Sequence, residues 1–369
     1  NMTRVHQLFS TTLLTAVFLW TPWAHAAKDM ALVTAAEKAQ PAVIDSLREM
    51  VLIESGSGDL KGLAQMANLV ESRLKALGFS TERQKTTAGA GADIVVGKLL
   101  GNGKKKFMLQ AHMDTVYQSG ILATQGYKIE GNRIYGPGIA DDKGGIAVIL
   151  HGLSILKEQG WKDFAQITVM FNPDEEVGSI GSGELISKLA DQHDAVLSFE
   201  PTAAKAVAKN EGVLLGASGA TRIDMHVTGK ASHAGAAPDL GRNALVELSH
   251  QILQTRDVHK SIPGVQLNWT VSQAGSVRNQ IPDKAQASAD VRTTIPGAAE
   301  KLETTLQSMA NAQKLIPETE TKVTLIGGRP PYVGGAKAKA LADKAEQELK
   351  RQYISRSLYG AEVVTTATP

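Results

Sequence analysis

A largely parallel α/β sheet, interrupted by a smaller α+β unit, is the fold this chain predicts. Three observations carry that expectation. Short apolar runs that read as buried strands (Asp93 to Leu99, Phe107 to Ala111, Ile167 to Phe171, Ala195 to Phe199) alternate with segments of helical apolar spacing. From about Val213 the texture changes to longer extended stretches around two helices, in the order β-α-β-β-α-β, the ferredoxin-like arrangement. Three of the strand ends before Val213 carry a histidine or acids, and open α/β sheets build their sites at the carboxyl ends of strands.

Composition sets the outer limits. The chain has 369 residues, 43% hydrophobic and 21% charged, which is ordinary globular material long enough for two domains. A net charge of +2 argues against a nucleic-acid partner or a membrane surface. With no cysteine, any metal must be held by His, Asp and Glu.

In chain order, residues 1–26 read as a secretory signal peptide. Arg4 precedes the apolar run Phe9 to Trp20, and Ala24-His25-Ala26 forms a small-x-small cleavage site. The run is short of the roughly 20 residues of a membrane span. The mature protein is therefore expected to be secreted or periplasmic, with no membrane attachment after signal removal. The start at Asn1-Met2 leads to the expectation that the sequence is a fragment of a longer one.

Ala35 to Ile53 and Leu60 to Leu77 follow as helices, with Gly78 a suitable stop for the second. Lys104 to Lys106 form a solvated basic turn. The strand from Phe107 ends in His112-Met113-Asp114-Thr115-Val116. Next comes Tyr135-Gly136-Pro137-Gly138-Ile139-Ala140-Asp141-Asp142-Lys143-Gly144-Gly145, which packs four glycines and two adjacent aspartates ahead of a helical run. Glycine and proline there mark a sharp turn, and aspartate beside a helix start serves equally well as a cap. The strand from Ile167 ends in Asn172-Pro173-Asp174-Glu175-Glu176-Val177-Gly178-Ser179, a helix covers Gly183 to Ala190, and the strand from Ala195 ends in Glu200-Pro201.

The domains expected are a first catalytic part over 27–212, an insert over 213–326 and a second, incomplete catalytic part over 327–369. In the insert, Val213 to Thr228, Gln266 to Gly275, Ala285 to Arg292 and Thr321 to Ile326 read as strands. Gly241 to Thr255 and Ala298 to Gln313 read as helices. Gly327 to Pro331 reads as the return hinge, and Ala336 to Tyr353 as a final helix.

The strand-end groups His112, Asp114, Asp141, Asp142, Glu175, Glu176 and Glu200 need an explanation. Gathering that many carboxylates without a cation would raise their pKa values and cost several kcal/mol. A divalent metal resolves the repulsion, and an imidazole-plus-carboxylate set suits zinc, manganese or cobalt in a hydrolytic site. Adjacent residues of extended chain point to opposite sides, so one of Glu175 and Glu176 is expected as a ligand and the other as a base. Spacing alone leaves the order open.

Together these motifs, with Gly229-Lys230-Ala231-Ser232-His233-Ala234-Gly235, resemble the co-catalytic dizinc exopeptidases of the aminoacylase and glutamate carboxypeptidase family. The likeness is greatest to its bacterial glutamate carboxypeptidases. The resemblance implies a metallopeptidase catalytic domain with an inserted lid and dimerisation domain, a homodimer, and two zinc ions per subunit. It implies that Asp141 bridges the two ions, that His112 and Glu200 complete the first site, and that Glu176 binds the second. Glu175 would be the general base toward the attacking water. Asp114 would fix the His112 tautomer, as such ligands require. Asp142 would set the turn around Asp141, beside an unusual peptide geometry. His233 would stabilise the oxyanion, often in a partner's site, and Asn279 and Arg292 would contact substrate. A guanidinium suits a bidentate clamp on a free α-carboxylate. His151, His193, His226, His250 and His259 match no motif and read as structural or surface residues.

The activity implied is hydrolysis of the amide to a C-terminal amino acid, glutamate of folate-like substrates foremost. The alternatives are deacylation of N-acyl amino acids or desuccinylation within the family, and, in another class, an inactive truncated binding or dimerisation protein. The resemblance is incomplete at one point. The family's late Gly-rich Thr-Asp segment and the histidine that completes its second metal have no counterpart, the last histidine being His259. A fragment of a complete enzyme is the expectation.

Overall fold

A computed structural model describes residues 29–89, 91–201 and 215–353. The expected signal peptide, the expected domain edge at 212/213 and the tail beyond Tyr353 lie outside those residues.

The first unit opens with α1 (Met30–Val51) and α2 (Leu60–Leu77). Asp29 caps α1 through the amides of Ala31 and Leu32, so the helix starts five residues before the expected Ala35. Asp59 caps α2, and Gly78 ends it in the left-handed conformation at φ 98°. There follow β1 (Ser80–Lys85), β2 (Asp93–Leu100), β3 (Lys106–His112) and the small hairpin of β4 (Lys128–Glu130) and β5 (Arg133–Tyr135). Then come α3 (Lys143–Glu158), β6 (Gln166–Asn172), α4 (Gly183–Ala190) and β7 (Ala195–Ser198).

The strands form one sheet in the order β1-β2-β6-β3-β7. β3 runs parallel to both β6 and β7, whereas β2 is antiparallel to β6 and β1 to β2. The sheet is thus mixed. Its parallel part is the part that matters for chemistry, because it brings the carboxyl ends of β3, β6 and β7 to one edge. β1 is the strand the apolar pattern did not predict: its residues (Ser-Thr-Glu-Arg-Gln-Lys) are polar, and it pairs at the sheet's margin. Side chains alternate across the sheet. Val95, Val169 and Phe171 join the core under α1, α2 and α3 with Met66, Val70, Leu74, Ile146 and Ile149. Ile94, Val96, Met108 and Met170 face the other way, against Leu189 of α4. Each large side chain removed from water there contributes roughly 1.5–3 kcal/mol.

The second unit begins with β8 (Gly216–Ala217), β9 (Gly219–Thr228), β10 (Ser232–His233) and α5 (Ala244–Thr255). It continues with β11 (Val265–Ala274), β12 (Gln280–Ile281), β13 (Lys284–Thr293), α6 (Ala298–Ala312) and β14 (Glu320–Arg329). β15 (Tyr332–Val333) and α7 (Ala336–Tyr353) close the described chain. β11-β13-β9-β14 form an antiparallel sheet, the ferredoxin-like order, with its own core of Ile223, Met225, Leu248, Val291, Leu302 and Leu306. β8 pairs with β15, so the strands leading into and out of this unit lie side by side.

The expected hinge is different in detail. β14 continues through Arg329, and the register slips between Ile326 and Arg329. Gly327 and Gly328 therefore sit in a bulge. A Cβ on Gly328 would lie 2.1 Å from the Ala220 carbonyl oxygen, so only glycine allows that approach. No described helix is long and apolar enough to cross a membrane.

Candidate metal centre

β3 delivers His112 to the sheet edge with 1% of its surface exposed. Its Nδ1 lies 3.0 Å from the Asp114 backbone oxygen and 3.3 Å from the Asp114 carboxylate. That leaves Nε2 to face outward, 2.9 Å from Asp141 Oδ1 and 3.7 Å from Glu200 Oε2. The ligand atoms of His112, Asp141 and Glu200 lie within 4.8 Å of one another. The Asp141 and Glu200 side chains are about half exposed, at 51% and 45%, so the cluster opens to solvent while its imidazole is rooted in the core.

The glycine-rich turn explains the position of Asp141. Gly138 has φ 69°, and a Cβ there would lie 2.4 Å from Thr115 Cγ2. The Asp141–Asp142 peptide is cis. Asp142 is fully buried: one oxygen caps α3 through the Gly145 amide at 3.2 Å, and the other accepts the His112 backbone N–H at 3.1 Å. Asp142 thus caps α3, while Asp141 joins His112 and Glu200 in the metal-capable group.

Asp114 does more than meet His112. It is fully buried, and its two oxygens accept the backbone N–H groups of Glu175 and Glu176, each at 3.0 Å. Ser57 Oγ donates to it at 2.8 Å. One carboxylate therefore fixes both the β3 histidine and the turn after β6 that carries the two glutamates.

The electrostatics show an excess of negative charge. Burial pulls the His112 imidazole down, but Asp114, Glu200 and Asp142 outweigh it and hold it up at about 12. Burial, with Asp141 next, pushes Glu176 up to about 7. Burial pushes Asp142 up to about 8, with Glu200 and Asp141 adding to it. Glu175 is also raised, by burial first, with His112 and Arg329 opposing. Carboxylates that hold protons this firmly are the condition a dication relieves. An imidazole with two carboxylates, no sulfur and an open face fits a divalent transition metal.

Arg329 is a neighbour of the candidate site that sequence reasoning missed. Its guanidinium donates to Glu175 Oε1 at 3.2 Å, across from the bulge at the end of β14. The only signal was an arginine held between two glycines and two prolines, read as hinge.

The residues expected from the second unit are placed elsewhere. His233, exposed on β10, pairs with Gln280 of β12, and its Nδ1 accepts the amides of Gly235 and Ala236. Asn279 is its neighbour, accepting the Ala234 N–H at 2.8 Å. Arg292 lies exposed on the face of β13 away from the helices, with both its Nε and Nη2 on Asp290. Among the described residues, no hydrogen bond or ion pair joins these three to the His112 cluster. His151 and His193 have structural partners, Ser46 for the first and Thr168 for the second.

Comparison with known proteins agrees with this geometry. The sequence profile of Peptidase family M20/M25/M40 matches residues 108–366, which include every residue of the cluster. The chain belongs to this family. It is 48% identical to carboxypeptidase G2 of Pseudomonas sp. (strain RS-16) over 318 residues, 86% of this chain and 75% of that protein. It is 28% identical to the acetylornithine deacetylase of Myxococcus xanthus over 307 residues, 78% of this chain and 76% of that enzyme. Its fold is shared with a tripeptidase from Staphylococcus aureus at a TM-score of 0.67 and 22% identity, covering 88% of this chain and 84% of the other. This family member is a hydrolase of the metallopeptidase class, and the metal-capable group of His112, Asp141 and Glu200 is built into its sheet edge.

Proposed function

We propose that the protein is a zinc-dependent carboxypeptidase that hydrolyses the amide to a C-terminal amino acid, with glutamate of folate-like substrates as the preferred leaving residue. The observation that carries this reading is the buried Asp114, which ties the metal-facing His112 to the paired Glu175 and Glu176. The 48% identity to a carboxypeptidase over 86% of the chain supports the reaction class.

In this reading His112, Asp141 and Glu200 would hold one ion, and Glu176 together with Asp141 would serve a second. When bound, such ions polarise the substrate carbonyl and acidify a water. The remaining steps belong to the chain's own residues. Asp114 holds the His112 tautomer that leaves Nε2 free. Glu175, raised by burial, takes a proton from the water as it attacks the carbonyl carbon and delivers it to the leaving amine as the C–N bond breaks. Arg329, half exposed and already on Glu175, is a cation within reach of a substrate carboxylate. Arg292 would have to leave Asp290 to act as a clamp.

The domain division proposed is catalytic over 27–212 and 327–369, with 213–326 as lid and dimerisation domain. His233, with Asn279 beside it, then serves the oxyanion when the lid closes or from a partner subunit. A signal peptide over 1–26 would direct the enzyme to the periplasm or out of the cell. Deacylation of N-acyl amino acids is the second reading, favoured by the 28% identity to a deacetylase. The test is a hydrolysis panel of glutamyl amides, other acyl-amino acids and N-acetylated or N-succinylated amines, with metal content measured in parallel. Preferred turnover of an acetylated or succinylated amine would replace the carboxypeptidase reading, and the absence of turnover by fully metallated protein would end both.

A further inference from the structure

We infer that Ser57 is a positioning residue of the metal centre, and that the turn between α1 and α2 which carries it is the centre's second support. The inference rests on the reading of the His112 cluster as a metal site. No motif singled this turn out, and its sequence, Glu54-Ser55-Gly56-Ser57-Gly58-Asp59, reads as an ordinary polar connection.

The turn is pressed against the chain that leaves β3. Thr115 donates its N–H to the Ser55 carbonyl at 2.9 Å, and Ser57 donates its N–H to the Thr115 carbonyl at 3.0 Å. Gly56 forms a parallel bridge with Thr115, and a Cβ on Gly56 would lie 2.2 Å from the Tyr117 carbonyl oxygen. This two-stranded contact delivers Ser57 Oγ to Asp114 Oδ2. The other donors to the Asp114 carboxylate are the backbone amides of Glu175 and Glu176 and the His112 ring. Ser57 is thus the hydroxyl among them that a substitution can remove without touching a glutamate or the ligand.

A second tie reaches the same turn from the start of α3. The Lys143 ammonium, 1% exposed, donates to the Ile53 carbonyl at 2.8 Å. Lys143 stands two residues after Asp141, so the turn holds the Asp141 loop as well as Asp114. Its outward side is also fastened. Glu54 accepts the amides of Gly120 and Leu122 at 2.8 and 2.9 Å, and Asp59 accepts the Ser119 hydroxyl at 2.8 Å. One connection of a few residues therefore locks the exit of β3, the Asp141 loop and the surface loop after Tyr117 to one another. Partners behind metal ligands orient them and set their basicity.

The test uses zinc titration of the full-length protein in wild-type, S57A and S57T forms, with thermal unfolding of each before metal is added. S57A is expected to lose roughly tenfold or more in zinc affinity and to lower kcat with little change in KM, while S57T stays within about threefold of wild type. Zinc affinity of S57A within about twofold of wild type would overturn the inference, whatever the unfolding shift, because a merely structural serine changes only the latter. Should S57A fail to fold, S57C keeps the volume with a weak donor and is judged by the same titration. Wild-type protein that binds zinc but cleaves no amide would remove the proposed function and leave the role of Ser57 standing. Wild-type protein that binds no divalent ion would overturn both.

Discussion

Replacing Asp114 with asparagine changes one atom and should disable the centre. The carboxylate is fully buried, and each of its oxygens accepts a backbone N–H, Oδ1 from Glu175 and Oδ2 from Glu176. An asparagine has one acceptor oxygen and one NH2 group. Whichever way it turns, the NH2 faces a backbone N–H, donor against donor. The Ser57 hydroxyl can reverse its role, but an amide cannot. Losing a charge-assisted bond costs about 1.5–3 kcal/mol, and leaving a buried N–H unpaired costs about 1–3 kcal/mol more. The combined penalty of roughly 4 kcal/mol divides between the fold and the metal. A loss of roughly 10–100-fold in metal affinity accounts for about 1.4–2.8 kcal/mol, leaving roughly 2 kcal/mol for unfolding. Denaturant unfolding of the metal-free protein and zinc titration measure the two parts. Hydrogen exchange adds a local readout, since the Glu175 and Glu176 amides should lose protection first. A variant that binds zinc within about twofold of wild type and unfolds at an unchanged denaturant concentration would refute the reasoning.

Four further outcomes are expected. Glu175→Ala should lower kcat by roughly 10²–10⁴ while zinc stoichiometry is kept; unchanged turnover would remove Glu175 as the base. Arg329→Met should raise KM more for substrates with a free α-carboxylate than for an amidated analogue, while any change in kcat through the lost Glu175 contact is common to both, a comparison read directly from steady-state kinetics. Glu247, fully buried on α5, accepts the Leu315 and Ile316 amides and the Gln251 side chain, so Glu247→Ala should destabilise the protein by roughly 2–4 kcal/mol with zinc affinity intact. Glu71 is held at about 2, by the Lys75 ammonium first and then by Thr81 and Arg83 against burial. Because its folded pKa is depressed below 4.5, its contribution is present above that pH and is lost as pH falls toward about 2. Glu71→Gln should therefore flatten the stability profile in that window, and parallel acid unfolding curves for the two proteins would contradict it.

Most of the fold was legible because its signals are local. α2, α4 and α7 carry helical spacing with a clear start or stop, and β2, β3, β6 and β7 are short apolar runs. The β-α-β-β-α-β order of the second unit needed nothing beyond the same patterns. What escaped was whatever depends on pairing. β1 is polar throughout and is a strand only because β2 offers its edge, and the antiparallel direction of β2 against β6 has no mark in either sequence. That β14 continues through Gly327-Gly328, which read as part of a hinge, escaped for the same reason. Glycine signals freedom, but here it permits contact with Ala220, and the resulting bulge aims Arg329 at Glu175.

The candidate site divides along the same line. His112, Asp141, Glu175, Glu176 and Glu200 are legible as candidates because each ends a strand or follows a glycine turn in a motif of chemical character. Ser57 and Lys143 were not, because what they do is decided by the Thr115 backbone and the Ile53 carbonyl, groups every residue possesses. A motif names the groups that touch a metal, whereas the groups that hold those still are chosen by geometry and look like any turn serine or helix-start lysine. This asymmetry has a physical root. A ligand must present a particular atom, so its residue type is restricted; a support must only present a donor at a particular place, and many residue types can do that. Supports of this kind have to be sought by tracing each buried carboxylate oxygen to all of its donors, as Asp114 leads to Ser57 and through it to the α1–α2 turn.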